Sequence, residues 1–255
     1  MTVSGKLSDK VAIVTGGGGG FGAGIAKKFV SEGAQVVLLD IQKDAATKVA
    51  KEFSASQVIA LQADVASETD WANVLDRTLQ HFGHLDVVVN NAGVVNNSCP
   101  SIETEEADFD RLVRVNLKSL FNSTKIVIPY FLREERPGLF INVSSISAAR
   151  PRPGLVWYAA SKAALTTASR GLAVEWASRQ IRFNVIQPAL GETAMATSLN
   201  AGPDSPEGRQ KALQTIPLGR LSTPEDIGNT AAWLASNEAT MLTGATIDVD
   251  GGRGV

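Results

Sequence analysis

Val11-Ala12-Ile13-Val14-Thr15-Gly16-Gly17-Gly18-Gly19-Gly20-Phe21-Gly22-Ala23-Gly24-Ile25-Ala26 joins a short apolar, largely β-branched run to an amphipathic stretch through consecutive glycines. The first run reads as a buried strand and the last as the opening of a helix. Gly16, Gly20 and Gly22 let the backbone turn tightly and approach a phosphate or pyrophosphate, whose charge then meets a helix N-terminus. A glycine-rich loop alone is a weak signal; this one gains weight from its place between a strand and a helix. The run Gly17-Gly18-Gly19 adds conformational entropy cost without a gain visible in the sequence.

Outward from this stretch, apolar runs alternate with longer helical ones. Strands are predicted at 11–15, 35–40, 58–64, 85–90, 139–144, 182–187 and 245–249, and helices at 22–31, 44–53, 68–82, 108–132, 158–178 and 224–236. Strands apolar on both faces and separated by helices predict an α/β fold: a doubly wound parallel sheet of about seven strands with helices on both faces, Rossmann-like. No proline- or serine-rich linker divides the chain, so residues 1–255 are expected to form a single domain. The irregular segment 189–217 is long for a connection and is the predicted substrate lid.

Composition narrows the partners. The 255 residues are 44% hydrophobic and carry 24 basic against 26 acidic residues, well mixed, which recommends neither nucleic acid nor a membrane as partner. No apolar run approaches the roughly 20 residues that span a bilayer, and the polar start lacks a signal peptide's apolar core. A soluble, cytoplasmic protein is expected. Cys99 is the single cysteine, and no cluster has metal-ligand spacing, so no metal is predicted. His81 and His84 read as a solvated helix end.

The chemistry is carried by Trp157-Tyr158-Ala159-Ala160-Ser161-Lys162. Residues four apart on a helix lie on one face, one turn above the other. A tyrosine with pKa about 10 is roughly one part in a thousand ionised at pH 7. A lysine ammonium about 4 Å away supplies energy of the order needed to acidify it. Ser145 lies thirteen residues before Tyr158, at the carboxyl end of the fifth strand, where such sheets bind ligands. Ser144 and Ser147 are rivals by proximity.

Together with Asn90-Asn91-Ala92-Gly93, these motifs resemble those of the short-chain dehydrogenase/reductase family, and the resemblance runs from about Leu7 to Gly252. It implies a nicotinamide cofactor held by Gly16, Gly18, Gly20, Phe21, Gly22, Asp64, Val65, Asn91, Ala92, Gly93, Tyr158, Lys162, Pro188 and Thr193. Asn90 is implied to be mostly structural. The catalytic set implied is Asn116, Ser145, Tyr158 and Lys162. In that set Tyr158 exchanges a proton with the substrate oxygen, Ser145 stabilises charge on it, Lys162 binds the nicotinamide ribose and lowers the phenol pKa, and Asn116 holds a water. A homotetramer built on the closing helix and strand is also implied. The chain departs from the pattern twice. Ala189 replaces a glycine, which is unfavourable if that backbone needs a positive φ, and Gly191 replaces a larger apolar residue, which predicts a looser turn.

Asp40 closes the second strand where a carboxylate can accept hydrogen bonds from an adenosine ribose, and it would repel a 2′-phosphate. No lysine or arginine stands at 17–19 or 41–42 to offset it, so NAD(H) is predicted over NADP(H). Ser147, Leu190 and Met195 join Ser145 and Tyr158 as candidate substrate contacts. Val94, Val95, Ile146, Leu155, Val156, Trp157 and Leu199 add an apolar surround, which predicts a secondary alcohol or ketone on an apolar or cyclic body. Arg150 and Arg152, spaced by proline, are either solvated or able to meet a carboxylate or phosphate. The rival readings are an NADPH-dependent carbonyl or 3-oxoacyl reductase of the same fold and a non-catalytic dinucleotide-binding scaffold.

Overall fold

The computed structural model describes residues 5–192, 210 and 213–255. Seven parallel strands form one sheet in the order β3-β2-β1-β4-β5-β6-β7: β1 Val11–Thr15, β2 Gln35–Asp40, β3 Val58–Gln62, β4 Val87–Asn90, β5 Gly138–Val143, β6 Ile181–Pro188 and β7 Thr246–Val249. Helices α1 Gly20–Ser31, α2 Lys43–Ala50, α3 Glu68–Phe82, α4 Glu106–Asn116, α5 Lys118–Arg133, α6 Val156–Trp176 and α7 Pro224–Ala235 cover both faces. This is the doubly wound architecture expected from the alternating runs. Strand order reverses between β1 and β4, and such a reversal opens a crevice at the carboxyl edge.

Each face of the sheet buries its own core. Val36, Leu38, Val89 and Ile141 point to the side of Ile25, Phe29, Ile227 and Leu234, whereas Ile13, Val37, Val88, Phe140 and Phe183 point to Trp71, Leu75, Val127 and Phe131. Alternation along a strand with both faces covered is why these runs are continuously apolar. Phe140 and Phe183 are register partners on β5 and β6 and stack with ring centroids 4.5 Å apart.

The predicted helix at 108–132 is two helices. The break falls at Leu117 (φ −118), where the side chain of Asn116 leaves the helix axis to bond the main chain of Val94 across the cleft. Periodicity could not show this, because the apolar stripe continues through both helices. Strand β3 ends at Gln62, two residues early, and β4 begins at Val87, since Leu85 N–H is taken by the Tyr130 hydroxyl at 3.1 Å and leaves the ladder.

Helix α1 lies against α7 at a distance only glycine permits: a Cβ on Gly24 would stand 2.4 Å from the carbonyl oxygen of Pro224. Pro224 is held there by a capping box, with Thr223 and Asp226 exchanging side-chain and backbone hydrogen bonds. Gly24→Val should therefore destabilise the protein by about 2 kcal/mol through overpacking. Urea unfolding checks this, and an unchanged midpoint would show that the two helices separate freely.

Candidate active site

The carboxyl ends of β1, β2, β4, β5 and β6 open into a cavity of about 640 Å³. At one end it is walled by Gly16, Gly18, Gly19, Gly20 and Phe21, with Asp40, Gln42 and Ala45 beside them. Gly16 adopts φ +64, and a Cβ on Gly22 would lie 2.1 Å from the Gly16 carbonyl oxygen, so the loop closes on itself where side chains cannot fit. The glycine run has a reason after all. A Cβ on Gly17 would meet Leu38 at 2.8 Å and one on Gly18 would meet Ala45 at 2.7 Å, while only Gly19 faces open space. Helix α1 then starts with no side-chain cap and no acidic residue in its first turn, leaving its N–H groups to an anion.

Thr15, buried at the end of β1, ties the loop to the strand beside it. Its hydroxyl accepts from the N–H groups of Asn91 and Ala92, both at 2.9 Å, and the Asn91 amide donates back to the Thr15 carbonyl at 2.8 Å. Asn90 turns the other way, into a buried network with Ser123 and Asn142. Asp40 accepts from Gly18 N–H at 3.0 Å and from Gln42 N–H at 2.9 Å, so its carboxylate also shapes the loop it faces.

The two departures near the sixth strand resolve structurally. Ala189 is absent from the non-glycine residues with positive φ, and its N–H donates to the Val249 carbonyl, so alanine is no strain there. The turn at Gly191 is not loosened, because the ring of Phe21 fills the space: a Cβ on Gly191 would lie 2.2 Å from Phe21 Cζ.

At the other end stand Ser145, Ser147, Leu155, Tyr158 and Lys162, with Leu190 opposite. Tyr158 and Lys162 share a face of α6, as their spacing requires, and both are buried. Lys162 Nζ donates to the Val143 carbonyl at 3.0 Å. Asn116, fully buried, accepts from Val94 N–H at 2.8 Å and donates to the Val94 carbonyl and to Ser161 Oγ. Gly93 must be small for this to assemble, since a Cβ there would lie 3.0 Å from Lys162 Nζ and 3.2 Å from Asn116 Oδ1. Ser144 is engaged with the Lys162 carbonyl and Thr166, which removes it as a rival to Ser145.

The electrostatics differ from the expected acidified phenol. Burial pushes the Tyr158 phenol up, opposed by a hydrogen bond with Ser145 and by the field of Arg152. The Lys162 ammonium points to the Val143 carbonyl, and its own burial lowers it to about 8. Arg152 is a cation near the phenol that the spacing of Tyr158 and Lys162 could not reveal.

Of the other predicted residues, Ala92, Asn91, Gly93 and Pro188 also line the cavity, whereas Gly22, Asn116, Asp64 and Val65 stand behind it or apart. Asp64 accepts from Ala66 N–H and pairs with Arg114. Val94, Val156 and Trp157 are not in the wall; the Trp157 indole packs on Phe109 and donates to the Ser101 carbonyl. Thr193, Met195 and Leu199 lie outside the described residues, as does most of the predicted lid. Arg253 and Thr215 line the cavity without having been singled out. No local motif marks them, because their chain segments reach the cavity only through the fold. Among the described residues no group of His, Cys, Asp and Glu is disposed to hold a metal, and no helix is long and apolar enough to cross a membrane.

A family model described as enoyl-(acyl carrier protein) reductase matches residues 17–253. The chain belongs to the short-chain dehydrogenase/reductase family. It is similar to a 4-formylbenzenesulfonate dehydrogenase of Comamonas testosteroni, at 41% identity over 98% of this chain and 100% of the relative. It is also similar to 3β-hydroxysteroid dehydrogenase 1 of Eggerthella lenta, at 38% identity over 96% of this chain and 94% of that one. The crystal structure of a 3-ketoacyl-(acyl-carrier-protein) reductase from Brucella melitensis complexed with NADH superposes with TM-score 0.91 at 38% identity, covering 98% of this chain and 100% of that chain. Membership makes the protein an oxidoreductase acting on CH–OH groups, with the dinucleotide-binding fold that the glycine cradle and open α1 N-terminus fit.

The buried lysine has a measurable signature. Below about pH 8 it is charged in both states and folding bears the full desolvation cost; between about 8 and its ordinary 10.5 only the unfolded chain keeps the proton. The unfolded state then binds more protons, so stability rises with pH through this window. Between pH 8 and 10 the wild type should gain about 2 kcal/mol relative to Lys162→Met. Denaturant unfolding of both proteins across that range reads it, and a constant difference would contradict the burial argument.

Proposed function

We propose that the protein is an NAD(H)-dependent dehydrogenase that interconverts a secondary alcohol and its ketone, with Tyr158 as general acid and base. The observation that carries this reading is the convergence of Tyr158, Ser145 and Lys162 on the cavity that also receives the glycine loop. A bound nicotinamide supplies or accepts the hydride. The phenol of Tyr158 gives its proton to the carbonyl oxygen in reduction and removes it from the alcohol in oxidation. The Ser145 hydroxyl holds the same oxygen and stabilises the charge that develops on it. Lys162, fixed by Val143, holds the ribose next to the reacting carbon and sets the field in which the phenol ionises. Asn116, bonded to the Val94 main chain and to Ser161, would hold a water that links Lys162 to solvent.

Preference for NAD(H) follows from Asp40, whose two oxygens face the loop and the start of α2 with no lysine or arginine at 17–19 or 41–42. A 2′-phosphate there would sit against a carboxylate. The apolar wall of Val95, Ile146, Leu155 and Leu190 supports an apolar or cyclic substrate body. Relatives named for an aromatic aldehyde, a steroid and ketoacyl chains share only the carbonyl or carbinol carbon. One domain carries cofactor and substrate in this reading, and a homotetramer would cover exposed Val174, Met241 and Leu218.

Tyr158→Phe should lower turnover by about 10²- to 10⁴-fold. NADH affinity, followed by calorimetry, should change little; retained activity would remove Tyr158 from the mechanism. Wild type should bind NADH at least about tenfold more tightly than NADPH, and Asp40→Asn should narrow that ratio while keeping an acceptor for the loop. Equal affinities in the wild type would hand the cofactor assignment to NADP(H).

A further inference from the structure

We propose that the substrate bears an anionic group, a carboxylate or sulfonate, and that Arg152 and Arg253 bind it; this names the substrate class of the dehydrogenase reading above and rests on it. The charged side chains in the cavity wall are Asp40, Arg150, Arg152, Lys162 and Arg253. Asp40 is at the cofactor end, bonded to Gly18 and Gln42 N–H. Arg152 lies on the connection that runs from Ser145 to Tyr158, so its place in the chain puts it at the chemical end, with Ser147 and Leu155. That end holds guanidinium groups and no carboxylate in its described wall.

The arrangement is built, not loose. Pro151 and Pro153 flank Arg152 and restrict its backbone. Arg253 is brought in by a turn after β7 in which Asp250 accepts from the N–H groups of Gly252 and Gly254, and Gly251 and Gly252 take φ +65 and +86. Arg150 fastens the turn, its Nη1 donating to the carbonyls of Arg253 and Val255, both at 2.8 Å. Arg150 is thereby committed to the main chain, which leaves Arg152 and Arg253 to a ligand.

Among the described residues neither forms an ion pair with a carboxylate. Asp250 is the acid whose field favours the Arg253 charge, and its oxygens are committed to the turn. Asp248 is the other acid of this segment; it is exposed and couples to Asp250. Burial and the nearby Arg152 both disfavour the Arg253 charge. Two half-buried guanidiniums that repel each other are relieved by an anion between them, and the planar fork of arginine suits carboxylate or sulfonate oxygens. The substrate then has a defined shape: carbonyl carbon at Tyr158, apolar body along Leu155 and Leu190, anion at the arginines.

The test compares NADH-dependent reduction of 3- and 4-acetylbenzoate and 4-acetylbenzenesulfonate with that of 4-methylacetophenone, at low ionic strength. The wild type should prefer an anionic member by about ten- to hundredfold in kcat/KM, through KM. Arg152→Met and Arg253→Met should each reduce that preference about tenfold or more, with partial return in Arg152→Lys. Turnover of the neutral ketone with no preference for the anions sinks this proposal and leaves the dehydrogenase reading standing. If no ketone is reduced, that reading fails instead, and calorimetry decides the arginines: benzoate or benzenesulfonate should bind wild type in the presence of NADH and not the double variant Arg152→Met/Arg253→Met. Equal binding to both proteins overturns the proposal. So does an equal loss of NADH affinity in the variants, which would assign the arginines to cofactor phosphates.

Discussion

A lysine ammonium buried beneath the sheet edge is the constraint around which this site is organised. An ammonium taken out of water is costly unless hydrogen-bond acceptors replace the solvent. Here the Val143 carbonyl is turned to it as β5 ends, and Gly93 leaves room where a Cβ would lie 3.0 Å from the lysine Nζ and 3.2 Å from Asn116 Oδ1. Those requirements reach outward. Asn116 breaks a long helix in two to span the Val94 main chain, and Ser161 on α6 closes the link to the helix that carries Tyr158.

The glycine loop is organised by a different shortage, that of space. Thr15 joins β1 to the chain after β4 through its hydroxyl, and the loop folds so tightly that Gly17, Gly18 and Gly22 admit no Cβ. Phe21 and Gly191 exchange volumes across the cavity, one large and one absent, so the turn after β6 packs as tightly as a bulkier residue there would have made it. Such pairs show that a departure from a family pattern must be read together with its spatial partner. Interior packing tolerates volume moving between neighbours better than volume lost.

Charge is divided along the cavity. A carboxylate, Asp40, stands at the glycine-loop end, and the cations gather at the end with Ser145 and Tyr158, where the field of Arg152 opposes the effect of burial on the phenol. Burial disfavours the phenolate, so the Tyr158 phenol stays protonated at neutral pH.

Much of this was legible in the chain. The alternating apolar runs, the strand-glycine-helix junction and the Tyr158–Lys162 spacing required a parallel doubly wound sheet with its reactive groups at the carboxyl edge, because period, turn geometry and helix pitch are local properties. The break at Leu117, the reason for Gly17 and Gly18, the harmless φ of Ala189 and the Phe21–Gly191 exchange were not legible, since each depends on an atom distant in sequence. The same holds for the phenol's raised pKa, which reflects burial, opposed by the Ser145 hydrogen bond and the field of Arg152. Local chemistry therefore determined the fold class and marked Ser145, Tyr158 and Lys162, which meet at one cavity. Tertiary structure decided the electrostatics and the cationic end of the cavity, because desolvation and the approach of Arg152 to Arg253 exist only once segments about a hundred residues apart are folded together.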